Sequence, residues 1–166
     1  MSDVRAWRLD PGPFSIAIGH PDLVEVIAEP EVRPLPVGPK WCRELLAWRG
    51  LYLPLARLEG SNGAGLAVVI AARVADDGSA DYVAMRVNRP PEAITVAPGS
   101  DCEPPKDSHI PRKHLLACFK HNDEVIAVPD LAALFALDNT PERQTPPASD
   151  VVEPEASERI GRTGPS

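Results

Sequence analysis

Leu23-Val24-Glu25-Val26-Ile27, followed through Pro34 and Pro36 by Trp48-Arg49-Gly50-Leu51-Tyr52-Leu53-Pro54-Leu55, is the stretch on which the reading of this chain turns. The first five residues are mostly β-branched and apolar, which fits a pleated, half-buried surface and predicts a strand over Leu23 to Ala28. Pro30, Pro34, Pro36 and Pro39 then punctuate a connection that cannot be a helix. Trp41, Leu45 and Trp48 recur at helical spacing, so Lys40 to Trp48 is predicted as a short helix or turn with its apolar side packed down. Leu51 to Leu55 reads as the next strand, and Pro54, lacking an N–H, predicts that it lies at a sheet edge or a bulge.

Working outward, Val4 to Leu9 and Phe14 to Ile18 flank the turn-forming Asp10-Pro11-Gly12-Pro13, which predicts an opening hairpin. An apolar run from Ala64 to Val74 lies between the turn signals Gly60-Ser61-Asn62-Gly63 and Asp76-Asp77-Gly78. Tyr82 to Val87 returns from the second turn, and Ala93 to Val96 is a short further strand. Pro98 to Ser108, rich in Pro, Gly and Asp, is predicted as the most mobile internal segment. Asn122-Asp123 joins Leu115–Phe119 to Glu124–Val128, and Asp130 is placed to cap a terminal helix carrying Leu131, Leu134 and Phe135 at i, i+3 and i+4.

A chain of 166 residues has room for one domain, and its 43% hydrophobic residues can furnish a core. With only 5% aromatics, that core is built from Val, Ile, Leu and Ala, and twenty prolines argue against long helices. Residues 1–137 carry 14 basic and 18 acidic side chains and residues 138–166 carry 3 and 6, so neither part offers the basic surface that neutralises phosphates. No nucleic-acid partner is expected. The absence of a long apolar run or a signal-peptide core predicts a cytoplasmic protein without direct membrane insertion, and three widely spaced cysteines fit a reducing compartment. Residues 1–137 are read as one domain. Residues 138–166, with five prolines, scattered charges and no apolar periodicity, are read as a disordered acidic tail.

Taken in order, these segments resemble the CheW family, the coupling proteins of bacterial chemosensory systems. That family reads roughly V-x-E-V, a Pro-rich loop, then N-L-R-G-x-V-V-P-V-x-D-L, and here Glu25, Arg49, Gly50, Pro54 and Leu58 fall in register. Tyr82 to Asn88 sits where the family has an apolar G-x-x-V-D strand, and Leu115 to Phe135 resembles its closing hairpin and helical turn. The sequence departs from the pattern at Glu44, Ala47, Trp48, Ala56-Arg57 and Asn88. The resemblance implies an all-β fold of two small five-stranded, SH3-like β-barrels joined by short helical connectors. It implies a non-catalytic adaptor that couples the signalling tip of a chemoreceptor to the regulatory domain of a CheA-type histidine kinase, recruited to membrane receptor arrays. Partner-binding residues carried by the resemblance are Leu23, Glu25, Arg49, Gly50 and Val87, and no cofactor is implied. The departures at Ala47, Ala56 and Asn88 keep a second adaptor reading open, a specialised coupling protein of a type IV pilus chemosensory system.

Two constellations carry chemistry of their own. Arg49 can make planar, bidentate contacts to carboxylates of a partner, with Gly50 beside it allowing close backbone approach, or it can form a salt bridge to Glu25 within the fold; both can hold at once. His114, Cys118 and His121, spaced i, i+4, i+7, would share a face on a helix and open a reading of another class, a small zinc-binding domain or enzyme. The run Leu115 to Phe119 reads more readily as a strand, which puts His121 opposite His114 and Cys118 and leaves Cys102 or His109 as remote fourth ligands, so no metal site is expected. No phosphate loop, nucleophile elbow or carboxylate pair is present to support catalysis.

Overall fold

The computed structural model describes residues 2–58, 65–108 and 110–135. Within them the chain runs β1 (Val4–Leu9), β2 (Ile16–Gly19), β3 (Leu23–Ile27), β4 (Val32–Pro34), β5 (Cys42–Trp48), β6 (Leu51–Ala56), β7 (Leu66–Val74), β8 (Ala80–Val87), β9 (Glu92–Val96), β10 (Leu115–His121), β11 (Glu124–Pro129) and a single-turn helix α1 (Leu131–Leu134). Short 3-10 turns at His20–Asp22 and Arg112–His114 lead into β3 and β10. The strands form two mixed sheets, a five-stranded one in the order β10-β11-β2-β1-β9 and a six-stranded one in the order β3-β7-β8-β6-β5-β4.

Neither sheet closes on itself among the described residues, which corrects the expectation of two five-stranded barrels. In the first sheet the edges β9 and β10 share no ladder; the segment Ser100–Cys102 spans the seam with one bridge, Asp101 to Phe119. In the second, the edge strand β4 has three residues and ends on Pro34, which has no N–H with which to extend pairing toward β3. The expected mobile loop between β9 and β10 is tied down at this point: Lys120 N–H donates to Ser100 O at 2.9 Å and Cys102 N–H to Cys118 O at 3.0 Å.

Two further expectations are corrected. Cys42–Trp48 is a strand, not a helix or turn. Leu46 and Trp48, two residues apart, both enter the core beneath the six-stranded sheet, whereas Trp41 packs on Phe135 at the other core. The apparent helical spacing therefore joins residues that serve different layers. Strand β6 is also internal, lying between β8 and β5. Pro54 is tolerated there because the parallel ladder to β8 involves only Leu55 and Ala56, so the proline sits outside it. The strands read at Val4–Leu9, Leu23–Ala28 and Tyr82–Val87 are found as Val4–Leu9, Leu23–Ile27 and Ala80–Val87, and the closing hairpin and the Asp130 cap are found too, with the Asp130 side chain accepting from Ala133 N–H at 3.1 Å. The hairpin turn assigned to Gly60–Gly63 and the tail from 138 lie outside the described residues.

The main core lies between the sheets, where Leu9, Ile16 and Ile18 of the first meet Val68, Ile70, Val83, Met85 and Val87 of the second, with Leu131 and Phe135 at one side. Alternate residues of β7, Ala67 and Val69, face a second core with Leu46, Trp48, Leu53 and Leu55. Burial on both faces explains why β7 reads as a continuous apolar run instead of alternating. Arg86, on the same face of β8 as Ala84, is buried and is held by Glu44, whose Oε2 accepts from Arg86 Nε at 3.1 Å. On the five-stranded sheet, buried Ser15 lies 2.7 Å from both Asp10 Oδ1 and Glu124 Oε1, while Arg8 reaches Glu124 at 2.7 Å and Arg89 Nε donates to Asp10 Oδ2 at 2.9 Å. This network ties β1 and the connection between β1 and β2 to β11, and it reaches past β8 through Arg89.

Candidate partner-binding site

The β5–β6 hairpin has the two-residue loop Arg49-Gly50, with Trp48 paired to Leu51 across it. Both loop residues have positive φ, 47° for Arg49 and 76° for Gly50, the pattern of a type I′ turn whose twist matches that of the flanking strands. A Cβ at Gly50 would meet nothing within 4 Å, so conformation and not space requires the glycine. The turn thus projects Arg49 from the sheet, with the region around Gly50 open.

Glu25 faces this turn from β3. Its Oε2 accepts from Trp48 Nε1 at 2.7 Å and from Arg49 Nη2 at 3.0 Å. The guanidinium carbon of Arg49 lies 4.7 Å from the Trp48 ring centroid, within cation–π range. Trp48 is buried and tilts against Tyr82 at 5.2 Å, while the side chain of Arg49 is 64% exposed and that of Glu25 39%. A bulge between Leu23 and Glu25 interrupts the β3–β7 register and changes the alternation along β3. The salt bridge open in the sequence reading is therefore formed, and it leaves most of the arginine surface available.

Of the five residues carried by the resemblance, the structure brings Glu25, Arg49 and Gly50 together. Leu23 lies two residues from Glu25 on β3 but packs partly buried against the core between the sheets. Val87 is fully buried in that core and paired with Leu66, so its side chain offers no surface as the chain stands. Three neighbours escaped the sequence reading. Trp48 supplies the hydrogen bond that orients Glu25; a buried indole N–H needs an acceptor, and Glu25 on an otherwise apolar strand was the available signal. Leu51 and Tyr52, both more than half exposed, continue the surface past the turn, and Arg33 covers the Tyr52 ring at 5.3 Å.

The zinc reading has no geometric support. His114 ends a 3-10 turn, Cys118 is buried within β10 and His121 closes that strand. Among the described residues no three His, Cys, Asp or Glu side chains are grouped to hold a metal ion, and His109 lies outside them. The buried Nδ1 of His114 has no hydrogen-bond partner. Among the described residues no helix is long and apolar enough to cross a membrane.

No protein-family model matches this chain, and no curated protein matches it. Among solved structures, the fold is similar to that of the scaffolding protein TtCheW from Thermoanaerobacter tengcongensis, with a TM-score of 0.61 and 15% sequence identity over 77% of this chain and 89% of that chain. The likeness extends over most of both molecules and is one of fold.

Proposed function

We propose that this protein is a non-catalytic adaptor of chemotaxis-type signal transduction, joining a chemoreceptor signalling tip to the regulatory domain of a histidine kinase in the cytoplasm at receptor arrays. The observation that carries the reading is the Glu25–Trp48–Arg49–Gly50 corner. Residues that the sequence aligned with a coupling-protein pattern are far apart in the chain yet meet at one hydrogen-bonded, solvent-facing turn. The similarity of fold to a scaffolding protein supports the same reading. A guanidinium held over an indole is preorganised, so docking a partner carboxylate there loses little side-chain entropy, and arginine and aromatic residues are enriched at interfaces. Exposed Leu51 and Tyr52 add apolar area beside it.

The test is titration of the purified protein against a receptor signalling-tip fragment and, separately, against a kinase regulatory domain, with Arg49→Ala in parallel. Binding of at least one partner, weakened by about 2 kcal/mol in the variant, is expected for an arginine desolvated at an interface. Failure to bind either partner, or unchanged affinity in a folded Arg49→Ala protein, removes the corner from this role.

A further inference from the structure

Away from that corner, the seam between β9 and β10 brings two cysteines together. Asp101 and Phe119 form an antiparallel bridge, which sets Cys102 opposite Cys118, and Cys102 N–H donates to Cys118 O at 3.0 Å. Residues opposed in this way across an antiparallel pair project to the same side, with Cα atoms roughly 5.5 Å apart in hydrogen-bonded pairs. That separation lies inside the span that disulfides bridge, about 4.4 to 6.8 Å. Both thiols are free; Cys102 is half-buried and Cys118 buried. Burial pushes the Cys118 thiol up, the nearby Cys102 adds to the effect, and Arg112 opposes it.

We propose that Cys102 and Cys118 are a redox-modification site, a dithiol that a peroxide converts reversibly to an intramolecular cross-strand disulfide. The more accessible Cys102 reacts first. Its thiolate attacks the O–O bond, giving a sulfenic acid and releasing hydroxide. The Cys118 thiolate then attacks the Cys102 sulfur, forming the S–S bond and expelling a second hydroxide. Two thiol protons and the two hydroxides leave as two waters, while the peroxide takes two electrons from the sulfurs. The cross-link fastens the segment that spans the open seam of the five-stranded sheet, including Asp101, which lines a cleft of about 260 Å³ with Val4, Ala6, Ala17 and Phe119. In a reducing compartment such a bond is transient, as a sensor requires.

Cys42 supplies an internal control. It is buried in β5 of the other sheet, its Sγ lies 3.4 Å from Glu44 O, and burial pushes its thiol up. Full-length protein is treated with hydrogen peroxide, alkylated, digested with trypsin and mapped by mass spectrometry without reduction. Lys106, Arg112 and Lys113 lie between the pair, so Cys102 and Cys118 appear on one species only when bonded. The expected result is loss of two alkylatable thiols and of two hydrogens in mass, retention of the Cys42 thiol, a raised thermal midpoint, and reversal by dithiothreitol. Cys102→Ser, at a half-buried position, is expected to keep the reduced protein's melting behaviour and abolish the midpoint rise. Over-oxidised Cys102 beside a free Cys118, disulfide-linked dimers through Cys102, or a peroxide response unchanged in Cys102→Ser overturns the assignment.

Discussion

Glu25 and Arg49 form one ion pair, but their removal is not symmetrical, because Glu25 Oε2 also satisfies the indole of buried Trp48. Arg49→Ala removes an exposed ion pair and is expected to cost at most about 1 kcal/mol in urea unfolding. Glu25→Ala leaves the Trp48 N–H without its acceptor and is expected to cost about 1 to 3 kcal/mol. Equal losses would show that the indole finds another partner. Asp10 gives the acid-side prediction. Burial raises its pKa, but the Ser15 and Arg89 hydrogen bonds and the charges of Arg8 and Arg89 together outweigh this and hold it below the ordinary 3.8. In the acid range the unfolded chain therefore binds the proton more readily than the folded one. The contribution is complete above the unfolded carboxyl range and is lost as pH falls through the lower folded value. Asp10→Asn is expected to flatten the fall in urea midpoint between about pH 5 and pH 2.5 relative to the parent; superimposable profiles would place the acid sensitivity elsewhere.

Among the elements, α1 is only four residues long, too short to hold itself together by backbone hydrogen bonding. It persists because Leu131 and Phe135 are buried in the core between the sheets and because Asp130 caps Ala133 N–H. Asp130→Ala is expected to cost about 1 kcal/mol, read from the denaturant midpoint. A change near zero would mean that core packing alone fixes the turn. The cap was legible in the sequence because capping chemistry spans three residues. Strand β5 was not, because Trp41, Leu45 and Trp48 satisfy a helical template locally, and only pairing with both β4 and β6 selects the extended form.

For the whole molecule, Leu131 and Phe135 reach the shared core before the chain enters residues 136–166, which lie outside the described residues. On its composition, the segment 138–166 is expected to be dispensable for folding: truncation after Leu137 leaves the thermal midpoint nearly unchanged, and a large fall would mean that it docks on the sheets. The amino-acid sequence by itself determined most strands and turns, the Asp130 cap and the chemical match between Glu25 and Arg49, since period-two patterning, turn residues and charge are properties of short segments. Tertiary structure alone decided that neither sheet closes among the described residues, that β6 is internal, that Val87 is sealed in the core, and that Trp48 joins Glu25 to Arg49. It also decided that Cys102 faces Cys118 across the seam. Each of these depends on which distant segment supplies the missing hydrogen bonds and apolar contacts, and local sequence does not encode that choice.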